Sequence, residues 1–156
     1  MDEDLRKIRA IAEYQYGHGV GAALFPDDVR IVHSRNTGRI RHIHLGDTLQ
    51  ATFRPNDGVL TLTIGAAKRL LTQVPDLGYT VTVSDEAAEF VSQGKNVFAK
   101  HVLRAGEKIR PGDEVIIVAE KVGVIGIGKA LLVSGEMKTF KTGVAVKTRR
   151  GSETDA

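Results

Sequence analysis

The sequence predicts an α+β fold in two parts. A small domain of antiparallel sheet plus helices spans residues 1–77, and a β-rich pseudo-barrel spans residues 78–150. Three observations carry this. Short strand-like runs dominate, and turn sequences such as Asn36-Thr37-Gly38, Gly46-Asp47 and Pro55-Asn56-Asp57-Gly58 separate them; short turns of this kind join antiparallel neighbours. Helical spacing is confined to a few short stretches. Pro75-Asp76-Leu77-Gly78 breaks the chain between the two parts. Residues 151–156 are polar and are expected to form a disordered tail.

The first helix is set by Leu5, Ile8, Ile11, Ala12 and Tyr16, which recur at three- and four-residue spacing. Gly17, Gly19 and Gly21 end it. Strands are expected at 29–35, 40–45, 48–54 and 59–64, then a helix at 66–73 with Leu70, Leu71 and Val74 apolar. In the second part, 80–83 reads as a strand. Ser84 or Asp85 can cap a helix at 86–93, whose acidic first turn suits the helix dipole. Gly94 stops that helix, and the stretch after it, up to Pro111-Gly112-Asp113, shows little periodicity and reads as a loop. Strands at 114–120 and 124–133 follow, then a short helix from Ser134 to about Phe140. In the final strand, 143–149, Val144, Val146 and Thr148 alternate with Ala145, Lys147 and Arg149.

Composition narrows the function. Hydrophobic residues make up 42% and charged residues 26%, as in an ordinary folded chain. Cysteine is absent, which excludes disulfides, thiol catalysis and cysteine-ligated zinc. The apolar run 115–119 falls far short of the roughly 18 residues a membrane helix needs. Asp2, Glu3 and Asp4 stand where a signal peptide would carry positive charge. No membrane association is expected, and the expected location is the cytoplasm. With 22 Lys+Arg against 19 Asp+Glu the net charge is only +3, so a uniformly basic coat is excluded but a basic patch is not. Aromatics are 5% of the chain, with no Trp, which leaves few residues for stacking on bases.

No complete catalytic constellation is present. His42 and His44 are two apart on a strand and so share a face, with His33 nearby. They read either as the polar face of a sheet or as part of a metal cluster, but no carboxylate completes a ligand set, and no metal or other cofactor is expected. The glycines at 123, 126 and 128 lack the order and the following helix of a dinucleotide-binding loop. Basic residues are the stronger signal. Arg35, Arg39 and Arg41 cluster around a hairpin; Lys95, Lys100, His101 and Arg104 crowd one loop; Lys129 follows Gly126 and Gly128; Lys147 and Arg149 share a face of the last strand. Any one of them could be a solvated surface charge. Together they suit phosphate.

In order along the chain, Tyr79–Ser84, Ala87–Val102, Ile109–Val115, Gly126–Leu132, Ser134–Met137 and Gly143–Lys147 resemble the PUA domain, the RNA-binding module named after pseudouridine synthases and archaeosine transglycosylases. Tyr14-Gln15-Tyr16-Gly17, Leu24-Phe25-Pro26-Asp27-Asp28, Thr37-Gly38-Arg39-Ile40-Arg41 and Asp57–Leu62 resemble the domain that precedes PUA in archaeal tRNA-guanine transglycosylases. The large catalytic barrel of those enzymes has no counterpart in these residues. The resemblance implies a PUA-type pseudo-barrel and no catalytic residues. It implies binding of structured RNA, tRNA at its acceptor stem and 3′ end, by an accessory partner of a tRNA-modifying enzyme. Carried onto this chain, the RNA-binding residues are Phe90, Gly94, Lys95, Asn96, Phe98, Ala99, Lys100, His101, Arg104, Gly126, Gly128, Lys129, Lys147 and Arg149. Arg35, Arg39 and Arg41 form a possible secondary patch. Phe90 and Phe98 are core residues by default, with stacking as the alternative. Many family members have Pro-Gly where this chain has Lys100-His101, a change that puts the loop's shape in question. The competing reading is a protein-interaction module associated with translation that does not touch RNA.

Overall fold

The computed structural model describes residues 2–154. It divides between Pro75 and Asp76 into two units; the sequence placed the division at 77/78.

In the first unit, α1 (Glu3–Tyr16) forms because Leu5, Ile8, Ala12 and Tyr16 make one buried face. The Asp2 carboxylate accepts the Asp4 amide at 3.2 Å and caps its start. The glycines expected to end the helix do end it, but the chain then winds a second one, α2 (Val20–Leu24). Glu13 makes this possible. Its carboxylate accepts the Gly19 amide at 3.0 Å and the Gly21 amide at 2.6 Å, so a side chain of α1 caps the start of α2.

The Gly21 and Gly19 amides hold the Glu13 carboxyl below its ordinary range. A lowered folded-state value contributes stability above the unfolded pKa, about 4.3, that is lost as pH falls through the folded value. Glu13→Gln keeps one acceptor and loses the charge. It is expected to cost about 1 kcal/mol at pH 7. The gap to wild type should close as the pH drops below about 4. Thermal melts at both ends of that range check this, and equal melting at pH 7 would contradict it.

Four strands follow, β1 (Arg30–His33), β2 (Ile40–Leu45), β3 (Thr48–Phe53) and β4 (Leu60–Leu62), as an antiparallel sheet in sequence order. α3 (Ile64–Gln73) starts where the Thr63 hydroxyl accepts the Ala66 amide at 3.2 Å, and it buries Ile64, Ala66, Ala67 and Leu70. The Arg69 guanidinium donates to the Ala23 and Leu24 carbonyls at 2.7 and 2.6 Å. It thereby satisfies carbonyls left open at the end of α2.

The second unit runs β5 (Thr80–Val83), α4 (Asp85–Ser92), β6 (Val97–Phe98), a 3₁₀ turn at Ala99–His101, β7 (Val102–Ala105), β8 (Glu114–Ala119), β9 (Gly123–Ala130), α5 (Ser134–Thr139) and β10 (Val144–Gly151). Its six-stranded sheet has the order β6-β10-β9-β8-β5-β7, in which β5 and β8 are parallel and every other pairing is antiparallel. The sheet curls into a half-barrel. Val81, Val91, Ile109, Ile117, Ile125, Met137 and Val146 are among the residues of its core.

The structure corrects the sequence reading in two further places. The expected loop after Gly94 contains β6, the 3₁₀ turn and β7, elements too short to show a period. The expected disordered tail is tied down through Thr154. Gly151 ends β10, the Ser152 amide donates to the Ile125 carbonyl at 2.8 Å, and the Glu153 amide donates to the Ser92 carbonyl at 2.8 Å. Main-chain groups hold most of this segment, and the Thr154 hydroxyl adds to them by accepting the Gly151 amide at 3.3 Å. The last two positions of the expected tail, 155–156, lie outside the described residues.

Candidate nucleic-acid interface

The register of β8, β9 and β10 sets Lys147 opposite Lys129, and Lys129 opposite Glu114. Both lysines are exposed, while the neighbouring Val146 faces the core. Neither lysine has an ion pair among the described residues. Like charges directly opposed across strands repel, and an anion placed over them relieves that repulsion.

Glu114, at the end of this row, is buried. Arg149 covers it, with Nε donating to Oε1 at 2.9 Å and Nη2 donating to Oε2 at 3.0 Å. The β9–β10 register slips between Thr148 and Arg150, and Arg149 falls in that irregular stretch. Simple alternation therefore fails here. Arg149, expected as a cation facing RNA, is engaged by a buried carboxylate instead.

The loop after α4 is pinned beside β10. The Asn96 carboxamide oxygen accepts the Thr148 amide at 3.1 Å, and the Lys95 amide donates to the Phe90 carbonyl at 3.0 Å. Asn96 thus positions Lys95, which is exposed, next to the strand that carries Lys147. Gly94 has φ +94° and its amide donates to the Val91 carbonyl, so it reverses the chain and offers no free donor. Phe90 is 57% exposed and Phe98 48%. The default core reading fails for both, because α4 buries Ala87, Ala88, Val91 and Ser92, and the two-residue β6 turns Val97 inward and Phe98 outward.

Three other expected contacts are withdrawn from the surface. Ala99 is 2% exposed and its amide donates to the Gly143 carbonyl at 2.9 Å. Gly126 and Gly128 are buried between strands. A Cβ on Gly128 would stand 2.5 Å from the Lys147 carbonyl oxygen, and one on Gly126 3.0 Å from the Arg150 carbonyl oxygen. Their small size serves the close approach of β10, and their amides are not presented to a ligand.

Lys100 is exposed on the 3₁₀ turn, and His101 is half-buried with Nδ1 3.3 Å from the Ser84 hydroxyl. Among the described residues only glycines have positive φ, so Lys100-His101 carries no strain in place of Pro-Gly. Arg104, on β7, pairs with Glu120 at 2.7 Å. The expected site therefore falls into two sets. Lys95, Asn96, Lys129 and Lys147 gather along β9 and β10 with Phe90 alongside, and Phe98 on β6 adjoins β10; Lys100, His101 and Arg104 lead away from β6 to β7, at the other end of the strand order.

In the first unit Arg35 is exposed in a hairpin turn, whereas Arg39 and Arg41 line a cleft together with Lys7 and Arg54. The sequence pattern missed Lys7 and Arg54 because they come from a helix and a second hairpin, with nothing local to connect them. His33 binds Asp4 at 2.9 Å, and the His42 and His44 rings are 6.3 Å apart. His44 Nδ1 is buried without a hydrogen-bond partner, and burial pushes this imidazole below its usual pKa. Among the described residues no group of three or more His, Cys, Asp or Glu is arranged to hold a metal ion. Among them, too, no helix is long and apolar enough to cross a membrane.

Residues 6–76 match the patch-forming domain C2 of tRNA-guanine transglycosylase, and residues 79–152 match the PUA domain. The chain is 46% identical over 149 residues to the tRNA-guanine(15) transglycosylase of Methanothermobacter thermautotrophicus, covering 96% of this chain and 23% of that protein. It is 47% identical over 146 residues to the corresponding protein of Pyrococcus furiosus, covering 94% and 24%. The chain thus spans about a quarter of the length of these relatives. Among solved structures, a hypothetical protein from Pyrococcus horikoshii has the same fold, with a TM-score of 0.80 at 23% identity over 99% of this chain and 96% of that one. A PUA domain structure from Aeropyrum pernix superposes with a TM-score of 0.71 at 15% identity, over 97% and 84%. Residues 6–76 thus form a C2 domain and residues 79–152 a PUA domain, and in sequence the pair resembles the C-terminal region of archaeal tRNA-guanine transglycosylases.

Proposed function

We propose that this chain binds structured RNA without catalysing a reaction, that the RNA is tRNA held near its acceptor stem and 3′ end, and that binding serves a tRNA-modifying transglycosylase. The observation that carries this is the pair of unneutralised lysines, Lys129 and Lys147, opposed across β9 and β10 with the Lys95 loop clasped beside them. The homology to a tRNA-modifying enzyme supports tRNA as the ligand. Lys95, Lys129 and Lys147 contact phosphates, and Phe90 offers an exposed ring to an unpaired base. Lys100 and Phe98 extend the footprint along the β6–β7 segment. Asn96 holds the loop, and Arg149 holds the sheet.

Fluorescence anisotropy with unmodified tRNA tests this. Each of Lys95→Glu, Lys129→Glu and Lys147→Glu should weaken binding. For each lysine on a duplex phosphate, the log–log salt slope should become shallower by about 0.9. Phe90→Ala should cost about 1–3 kcal/mol of affinity and leave the salt slope unchanged, as lost stacking would. Wild-type binding no tighter than that of the charge-reversed variants would remove the reading. Partners retained from nuclease-treated lysate, with no tRNA binding, would favour a protein-interaction module in its place.

A further inference from the structure

The first unit contains a cleft of about 710 Å³ that the reading above does not use. The order β1-β2-β3-β4 puts the β1–β2 and β3–β4 turns at the same end of the sheet, and these two turns are built alike. In one, the Ser34 amide donates to the Arg39 carbonyl at 2.7 Å, the Gly38 amide to the Ser34 carbonyl at 2.9 Å, and the Arg39 amide to the Thr37 hydroxyl at 3.2 Å. In the other, the Arg54 amide donates to the Val59 carbonyl at 2.9 Å, the Gly58 amide to the Arg54 carbonyl at 3.0 Å, and the Val59 amide to the Asp57 carboxylate at 3.0 Å. Gly38 and Gly58 take matching left-handed conformations, φ +73° and +70°, which side chains rarely adopt. The two turns form walls of one shape, and α1 faces them with Asp4, Lys7 and Ile11, residues spaced three and four apart.

The lining is divided in character. Ile11, Ile40 and Phe53 supply apolar surface, while Lys7, Arg39, Arg41 and Arg54 supply positive charge against only two carboxylates. Both carboxylates are occupied, Asp4 on His33 at 2.9 Å and Asp57 on the Val59 amide and near Arg54. Lys7, Arg39 and Arg41 have no ion pair among the described residues. Three uncommitted cations beside an apolar surface suit a ligand with a phosphate at one end and a flat, weakly polar body at the other.

We propose that this cleft binds one 5′-phosphorylated nucleotide. The phosphate lies on Lys7, Arg39 and Arg41, and the base lies against Ile11 and Phe53 between the two turns. The nucleotide is either free or part of a single-stranded segment of RNA. The lining of this site includes none of the lysines of β9 and β10.

Amide chemical shifts of the full chain, followed through titrations with adenosine monophosphate, adenosine, inorganic phosphate and a 5′-phosphorylated four-nucleotide RNA, test the proposal. Adenosine monophosphate should shift Gly38, Phe53 and Gly58 saturably, and should bind at least tenfold more tightly than adenosine or phosphate alone. A tetranucleotide bound more tightly than the monophosphate identifies a strand as the source; equal binding identifies the free nucleotide. Arg39→Ala and Arg41→Ala, both at accessible positions, should each weaken monophosphate binding about tenfold. Lys147→Glu should leave it unchanged while weakening tRNA binding, so failure of this site and failure of the β9–β10 reading are distinguishable. Absence of shifts at Gly38 and Gly58 with every probe, or adenosine binding as tightly as its monophosphate, would overturn the proposal.

Discussion

Arg149→Ala should destabilise the second unit by about 3–5 kcal/mol, the cost of breaking a buried ion pair from one side. Glu114 is 5% exposed, and Arg149 grips both of its carboxylate oxygens. Once the guanidinium is gone, the Glu114 carboxylate loses both of these charge-assisted hydrogen bonds. Glu114→Gln, added to Arg149→Ala, should recover part of the loss by removing the charge. Arg149→Met with Glu114→Leu should recover most of it, because two apolar groups of similar volume need no partner. Chemical denaturation followed by circular dichroism separates these cases. A single variant as stable as wild type would show that the pair contributes nothing. The same result bears on function, since any loss of RNA binding in Arg149→Ala must be measured on folded protein before it is read as a lost contact.

Gly106→Ala should be as damaging, at about 3 kcal/mol, for a steric reason. A Cβ at residue 106 would overlap the carbonyl oxygen of Gly78, a main-chain atom that no side-chain rotation can move aside. The Gly106 amide also donates to the Thr80 carbonyl at 3.1 Å, so the two segments cannot separate without losing that bond at the start of β5. Gly65→Ala is the matched control. Residue 65 is exposed on α3 with open space around its Cβ position, and alanine there should stabilise the chain by about 0.5–1 kcal/mol. Opposite signs in thermal melts of the two variants would confirm that close approach, and not a general preference for glycine, decides the outcome. A Gly106→Ala melt at the wild-type temperature would refute it.

These residues also mark where the sequence could and could not be read. The long periodic elements were legible. α1 declares itself through Leu5, Ile8, Ala12 and Tyr16, and β5, β8 and β9 through runs of β-branched residues between turn signals. α2 was hidden because its cap, Glu13, sits in the preceding helix, six residues before Gly19. β6 and β7 were hidden by their brevity. At the site, charge composition identified Lys95, Lys129 and Lys147 as accessible cations, and the register agrees that the last two are neighbours. It could not show that Arg149 is spent on Glu114, because that pairing spans 35 positions and depends on a slip in the β10 register. Nor could it separate a glycine that meets a ligand from one that meets a strand. Gly126 and Gly128 look alike in sequence whichever role they play, and only the closeness of the β10 backbone assigns them the second.

The place of β10 in the sheet sets the order in which the molecule can assemble. In the first unit every strand pairs with its sequence neighbour, so that sheet can close as soon as residue 62 is available. In the second unit the strand synthesised last lies between β6 and β9, and β6 has no other partner in the sheet. Without residues 144–151, β6 is an unpaired edge and Lys129 has no opposing lysine. The sheet of the first unit can therefore form from strands in the order they are made, whereas that of the second needs β10, which alone sets Lys147 opposite Lys129.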